Sequence, residues 1–107
     1  MRWYSPEMVL LDTLIDWDVV ALSSAWWTFG LHEDQSQFER ACRAITMQVT
    51  TRQVEMLRGP DAETAVPVAD WELRFILADP DNWCPPDSEP RFWLRLTEEF
   101  RKKRYDY

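Results

Sequence analysis

His32 is the single imidazole of the chain, and Cys42 and Cys84 are its two thiols. A Cys–His pair works as nucleophile and base when the imidazole reaches the thiol by a hydrogen bond. Cys42, however, shares an apolar stripe with Phe38 and Ile45, where a thiol is an inert core group. His32 follows Gly30-Leu31 and reads as a surface turn residue. Structural zinc needs four Cys or His ligands, and these three residues fall short. His32, Glu33 and Asp34 are adjacent, a spacing that rarely converges on one ion. Asp12 and Asp16 share a helical face but lack the Glu-x-x-His partner of a di-iron site. With two glycines, Gly30 and Gly59, there is no Gly-rich phosphate cradle. No cofactor and no metal are expected, and catalysis is the least favoured reading.

The residues with the clearest binding chemistry lie between Pro60 and Pro90. This stretch holds six of the seven prolines, and its eight carboxylates against one arginine give it a net charge of −7, equal to that of the whole chain. Asp79, Asp81, Asp87 and Glu89 surround Trp83, Cys84, Pro85 and Pro86. An indole is a strong interface anchor, prolines lower the entropy cost of fixing a loop, and a carboxylate rim steers a basic partner. Trp83 with Asp79, Asp81, Asp87 and Glu89 is therefore the expected partner-binding set, provided that Trp83 faces solvent. The opposing reading folds Trp83 back as a lid on the core, because so small a domain needs core aromatics. Asp12, Asp16 and Asp18 beside Trp17 would extend the same acidic surface.

Arg101-Lys102-Lys103-Arg104, with Arg91 and Arg95 upstream, makes the last segment basic, and Tyr105 and Tyr107 follow. Basic residues interleaved with aromatics bind nucleic acid, but the net charge of −7 favours a basic helix end that complements its own dipole and the acidic middle of the chain. Direct nucleic-acid binding and anionic membrane binding are not expected. The carboxylates Asp12, Asp16 and Asp18 interrupt the first apolar stretch, so it does not read as a leader. Val19–Leu31, with 13 uncharged residues, is too short to span a bilayer. A cytoplasmic setting with reduced thiols is expected.

These residues must be positioned by one domain of 107 residues. Ser5-Pro6-Glu7 opens a helix carrying Met8, Leu11, Leu14 and Ile15. A second helical segment runs from near Asp16 to Phe29, with Gly30 as its stop. Asp34 and Gln37 look like a capping box for a stripe through Phe38, Ala41, Cys42, Ile45, Val49 and Met56, ended by Arg58-Gly59-Pro60. Its β-branched residues leave a strand open from about Ile45. Pro67–Ala78 has helical spacing through Val68, Trp71, Phe75 and Ala78, although Trp71, Leu73, Phe75 and Leu77 also alternate. Ser88-Glu89-Pro90 repeats the opening of the first helix, and Phe92, Trp93, Leu96 and Phe100 follow as a helical stripe. The expected class is mainly α, a bundle of four or five helices with a Pro-rich acidic loop; the alternative is α+β, with strands near 45–57 and 71–77.

The functional expectation is a small acidic, tryptophan-rich protein-binding module acting by occupancy. It would be an inhibitor, an immunity-type or an anti-defence protein that masks a basic site on its partner. The alternative is an accessory or assembly subunit of a larger complex, and the seven tryptophans are also compatible with a homodimer.

Overall fold

The computed structural model describes residues 5–105. The chain begins with α1 (Pro6–Trp17). The Ser5 hydroxyl accepts from the Met8 amide at 3.3 Å, and Leu10 and Leu14 point inward. Asp18, at φ +65°, turns the chain into β1 (Val19–Ala21). The long second helix expected from Asp16 is therefore broken: two β-branched valines take a strand, and the helix resumes as α2 (Leu22–Thr28). Gly30 ends it at φ +72°, a conformation that favours glycine. Asp34 caps a short 3₁₀ turn (Gln35–Gln37) that leads into α3 (Phe38–Thr50).

The β-branched residues of α3 fit a helix because Ile45 and Val49 lie on its buried stripe, while the threonine hydroxyls donate back to carbonyls one turn earlier. Thr46 bonds to Cys42 at 2.7 Å, Thr50 to Thr46 at 2.9 Å and Thr51 to Met47 at 2.7 Å. Arg52, at φ +65°, then reverses the chain. The strand left open from Ile45 begins only at Val54, as β2 (Val54–Arg58). It turns at Gly59, where a Cβ would lie 2.8 Å from the Ala65 Cα, and pairs with β3 (Val66–Pro67). The segment 71–77 is not a strand. It lies in α4 (Asp70–Ala78), which buries Leu73, Ile76 and Leu77, so Trp71, Phe75 and Ala78 of the expected stripe are on its outer face and not its inward one. The short α5 (Pro80–Trp83) follows.

The largest departure from the sequence reading is at Phe92. The segment expected to start the last helix is β4 (Phe92–Leu96), with Phe92, Leu94 and Leu96 buried in alternation with half-buried Trp93 and Arg95. The helix that follows, α6 (Glu98–Tyr105), starts where Thr97 Oγ1 accepts from the Phe100 amide at 3.1 Å. The operative cap is Thr97 before Glu98 and Glu99, not Ser88. β4 occupies the centre of a four-stranded antiparallel sheet of order β1-β4-β2-β3. The expected helix bundle is thus replaced by an α+β domain.

One face of the sheet, carrying Val20, Val54, Met56, Leu94 and Leu96, packs with Leu10, Leu14, Ala25, Ile45 and Leu77 of the helices in a single core. The paired positions of the opposite face are Val19, Ala21, Glu55, Leu57, Trp93 and Arg95. Arg95 donates to Glu55 across the strands there, and Trp93 Nε1 donates to the Gly59 carbonyl at 3.1 Å. A cross-strand ion pair in register adds to pairing specificity more than to stability.

Several carboxylates are held below their ordinary pKa by local hydrogen bonds. Asp34 accepts from Ser36, Asp61 from the Thr64 amide, and Asp87 from the Glu89 amide with Arg91 nearby, while Glu72 accepts from Arg58. Depressed folded-state values make these groups stabilising above the unfolded carboxylate range, and that contribution is lost as pH falls through the folded values. The thermal midpoint should therefore be flat from about pH 7 to 5 and fall below about pH 4. A midpoint unchanged down to about pH 2 would contradict this.

Candidate functional site

The expected anchor is not on the surface. Trp83 is 1% exposed, and its Nε1 donates to the Leu77 carbonyl at 2.9 Å. Its ring packs against Trp26 and Phe38, with centroids 6.0 and 5.6 Å away. Asn82 Nδ2 donates to the Ile76 carbonyl at 2.9 Å, so α5 is bonded to the C-terminal end of α4 by two side chains. The reason is topological. Pro80 starts a single helical turn capped by Asp79, and that turn carries Trp83 back over carbonyls left free at the end of α4. Trp83 is thus the lid on the core and not a solvent-facing contact.

The four carboxylates of the expected rim divide by task. Asp79 accepts from the Asp81 amide at 3.0 Å as the cap of α5. Asp87 accepts from the Glu89 amide and receives Arg91, both at 3.0 Å. Asp81 and Glu89 are exposed. The loop is acidic at its surface, yet two of its carboxylates hold its own backbone. The extension around Trp17 is exposed: Trp17 itself by 72%, with Asp12, Asp16 and Asp18 also outside. Asp18 receives Arg101 at 3.4 Å.

The aromatic side chains that face solvent on the acidic segment are on α4. Trp71 is 72% and Phe75 61% exposed, one helical turn apart. They border a groove of about 320 Å³ whose other walls include Arg58, Glu72, Asn82 and Phe92. Asn82 belongs to α5, so the chain bearing Asp79 and Asp81 closes one side of this groove. Glu72 ties the opposite wall together: it receives Arg58 at 3.0 Å and the Ala69 amide at 3.3 Å. The Arg58 guanidinium lies 5.6 Å from the Phe92 ring centre. The sequence held a signal for this pair. Leu73, Ile76 and Leu77 fill the inward stripe of a helix, which forces Trp71 and Phe75 outward.

The candidate catalytic residues have separate partners. His32 stacks on Trp27, with ring centres 4.0 Å apart, and lies 3.6 Å from Glu33. The Cys42 thiol donates to the Leu77 carbonyl at 3.3 Å, and burial pushes its pKa up, helped by the charge of Glu39. Cys84 is exposed as a residue, partial desolvation of its thiol raises the pKa, and the two cysteines are not bridged. Among the described residues, no three His, Cys, Asp or Glu side chains converge as metal ligands. No described helix is long and apolar enough to cross a membrane. In the basic run, Arg101 meets Asp18, and Lys102 lies 3.8 Å from Glu98. The side chains of Arg104 and Tyr105, and all of Tyr107, lie outside the described residues. The chain matches no protein-family model, no curated protein and no solved structure.

Proposed function

We propose that this chain is a small acidic protein-binding module that acts by occupancy, with Trp71 and Phe75 as its anchor. The observation carrying this reading is the pair of large aromatic side chains, 72% and 61% exposed, on the helix of the most acidic segment. Apolar side chains this large are seldom left in water as a neighbouring pair without a contact to make. Tryptophan is the residue most enriched among interface hot spots, and the carboxylates of the same segment would speed encounter with a basic partner and disfavour an acidic one. An inhibitor, immunity-type or anti-defence protein masking a basic site fits these terms. Such a role in the cytoplasm belongs to the same proposal.

The test starts by capturing partners from the source organism with the wild-type chain and measuring the affinity of each purified candidate. The expected partner has a basic contact surface, and its affinity falls as salt is raised. Trp71→Ala with Phe75→Ala should weaken it by about 30-fold or more, the loss of at least one hot spot of about 2 kcal/mol. Both side chains are mostly exposed, so the thermal midpoint should hardly move. Undiminished affinity in the double variant, or affinity insensitive to salt, would remove this reading.

A second reading, an accessory subunit of a larger assembly, is favoured by Trp17 and Trp27, which are 72% and 63% exposed on α1 and α2. Light scattering across concentration would detect the homodimer version of it.

A further inference from the structure

We propose that the groove between α3 and α4 is a second docking surface, and that it takes an acidic amphipathic helix of a partner protein. This goes beyond the Trp71–Phe75 reading and has the opposite charge logic. The groove has a volume of about 550 Å³ and is open along one side. Cys42, Thr46 and Thr50, at steps of one turn, form its α3 wall, and Leu77 and Ala78 form its α4 wall. Met47, 63% exposed, stands on the α3 lip. From Phe38 to Thr50 the α3 wall runs about 18 Å, three turns of a helix laid beside it. A small-molecule site encloses most of its ligand, whereas an open apolar trough between two packed helices is the shape that receives a third.

Charge selects the occupant. Arg43 lines the groove from α3 and Arg74 from α4. Every other arginine whose side chain is described has a carboxylate within 4.0 Å, whereas Arg43 and Arg74 have none among the described residues. In a chain of net charge −7, two arginines left without carboxylates, one on each wall of an apolar groove, match carboxylates supplied from outside. Arg74 also lies 5.0 Å from the Phe75 ring centre, which holds it over α4 without neutralising it. Glu39 lines the Phe38 end. The partner helix therefore places its carboxylates at the level of Arg43 and Arg74 and none beside Glu39.

The two free thiols provide the readout. Cys42 lies in the groove wall and Cys84 is exposed after α5. The probe is a synthetic helical peptide of about 14 residues, with a leucine face flanked by glutamates, and a control with the same leucines flanked by lysines. Alkylation of each cysteine is followed by mass spectrometry. The glutamate peptide should slow Cys42 by about tenfold at saturation and leave Cys84 unchanged, while the lysine peptide should do neither. Arg43→Glu with Arg74→Glu should reverse the preference, and both positions are exposed, so the variant should fold. Failure of the glutamate peptide to protect Cys42, or equal protection by both peptides, overturns the proposal. So does protection that rises with protein concentration alone, which would give the groove to a second copy. The outcomes with the wild-type chain are read at Cys42 and do not involve Trp71 or Phe75, so failure here leaves the Trp71–Phe75 reading untouched.

Discussion

Replacing Trp83 by alanine should destabilise the protein by about 4 kcal/mol, the usual range for deleting a fully buried indole. A domain of this size has roughly 5–15 kcal/mol in total, so the variant should be marginally folded or unfolded at physiological temperature. The size of the effect follows from three interactions that disappear together. The ring fills the space between Trp26 and Phe38, its N–H meets the Leu77 carbonyl, and it fastens α5 to α4. Trp83→Phe separates these effects. It keeps an aromatic ring in the core but leaves the Leu77 carbonyl with only the weak thiol donor of Cys42. It should cost about 1 kcal/mol for the hydrogen bond, plus a smaller packing loss. Urea titration of both variants checks this. A Trp83→Ala protein with the wild-type midpoint would mean that this indole is not a core residue. The matching measurement at Trp71 should show a change within about 0.5 kcal/mol. The contrast between two tryptophans twelve positions apart distinguishes a structural indole from one presented to solvent.

Leu94→Ala should cost about 3 kcal/mol. Leu94 is 0% exposed and sits at the middle of the central strand, opposite Val20 on one side and Met56 on the other. Alanine there opens a cavity beneath the helices and weakens two cross-strand pairs at once. The prediction also discriminates between conformations. In a helical stripe of Phe92, Trp93, Leu96 and Phe100, Leu94 would face outward, and its truncation would change stability by no more than about 0.5 kcal/mol. A mild Leu94→Ala effect would favour that helix, and a large one the strand. Denaturant midpoints measured with an unchanged m-value would make the comparison sound.

Both predictions bear on where the proposed binding surface lies in so small a domain. The core claims Trp83, and the acidic loop commits Asp79 and Asp87 to its own turns. On the acidic segment, the large apolar side chains left facing solvent are Trp71 and Phe75 on the outer stripe of α4. α4 also borders the groove it shares with α3, so one nine-residue helix separates an acidic surface from a basic-lipped one. A partner that engaged both would be selected by charge pattern as well as by apolar contact.

Features that depend on a few neighbouring residues are legible in the chain alone. Ser5-Pro6-Glu7 starts α1, Gly30 ends the segment after α2, Asp34 caps the turn before α3, and the helical period of α4 is legible, although its inward stripe is Leu73, Ile76 and Leu77 and not Trp71 and Phe75. Each is a local matter of capping, backbone dihedral or side-chain spacing. The break at Arg58-Gly59-Pro60 is legible too, although it ends a strand rather than a helix. The remaining features depend on partners far away in the chain, so only tertiary packing settles them. Phe92–Leu96 has the alternation of a strand, but the apolar Trp93 obscures it, and Ser88-Glu89-Pro90 imitates a helix start. Only the slot between Val19–Ala21 and Val54–Arg58 makes it extended. Composition alone leaves Trp83 balanced between surface and core. It is core because α5 folds back against Trp26 and Phe38, an arrangement set by packing between distant parts of the chain and not by the residues beside it.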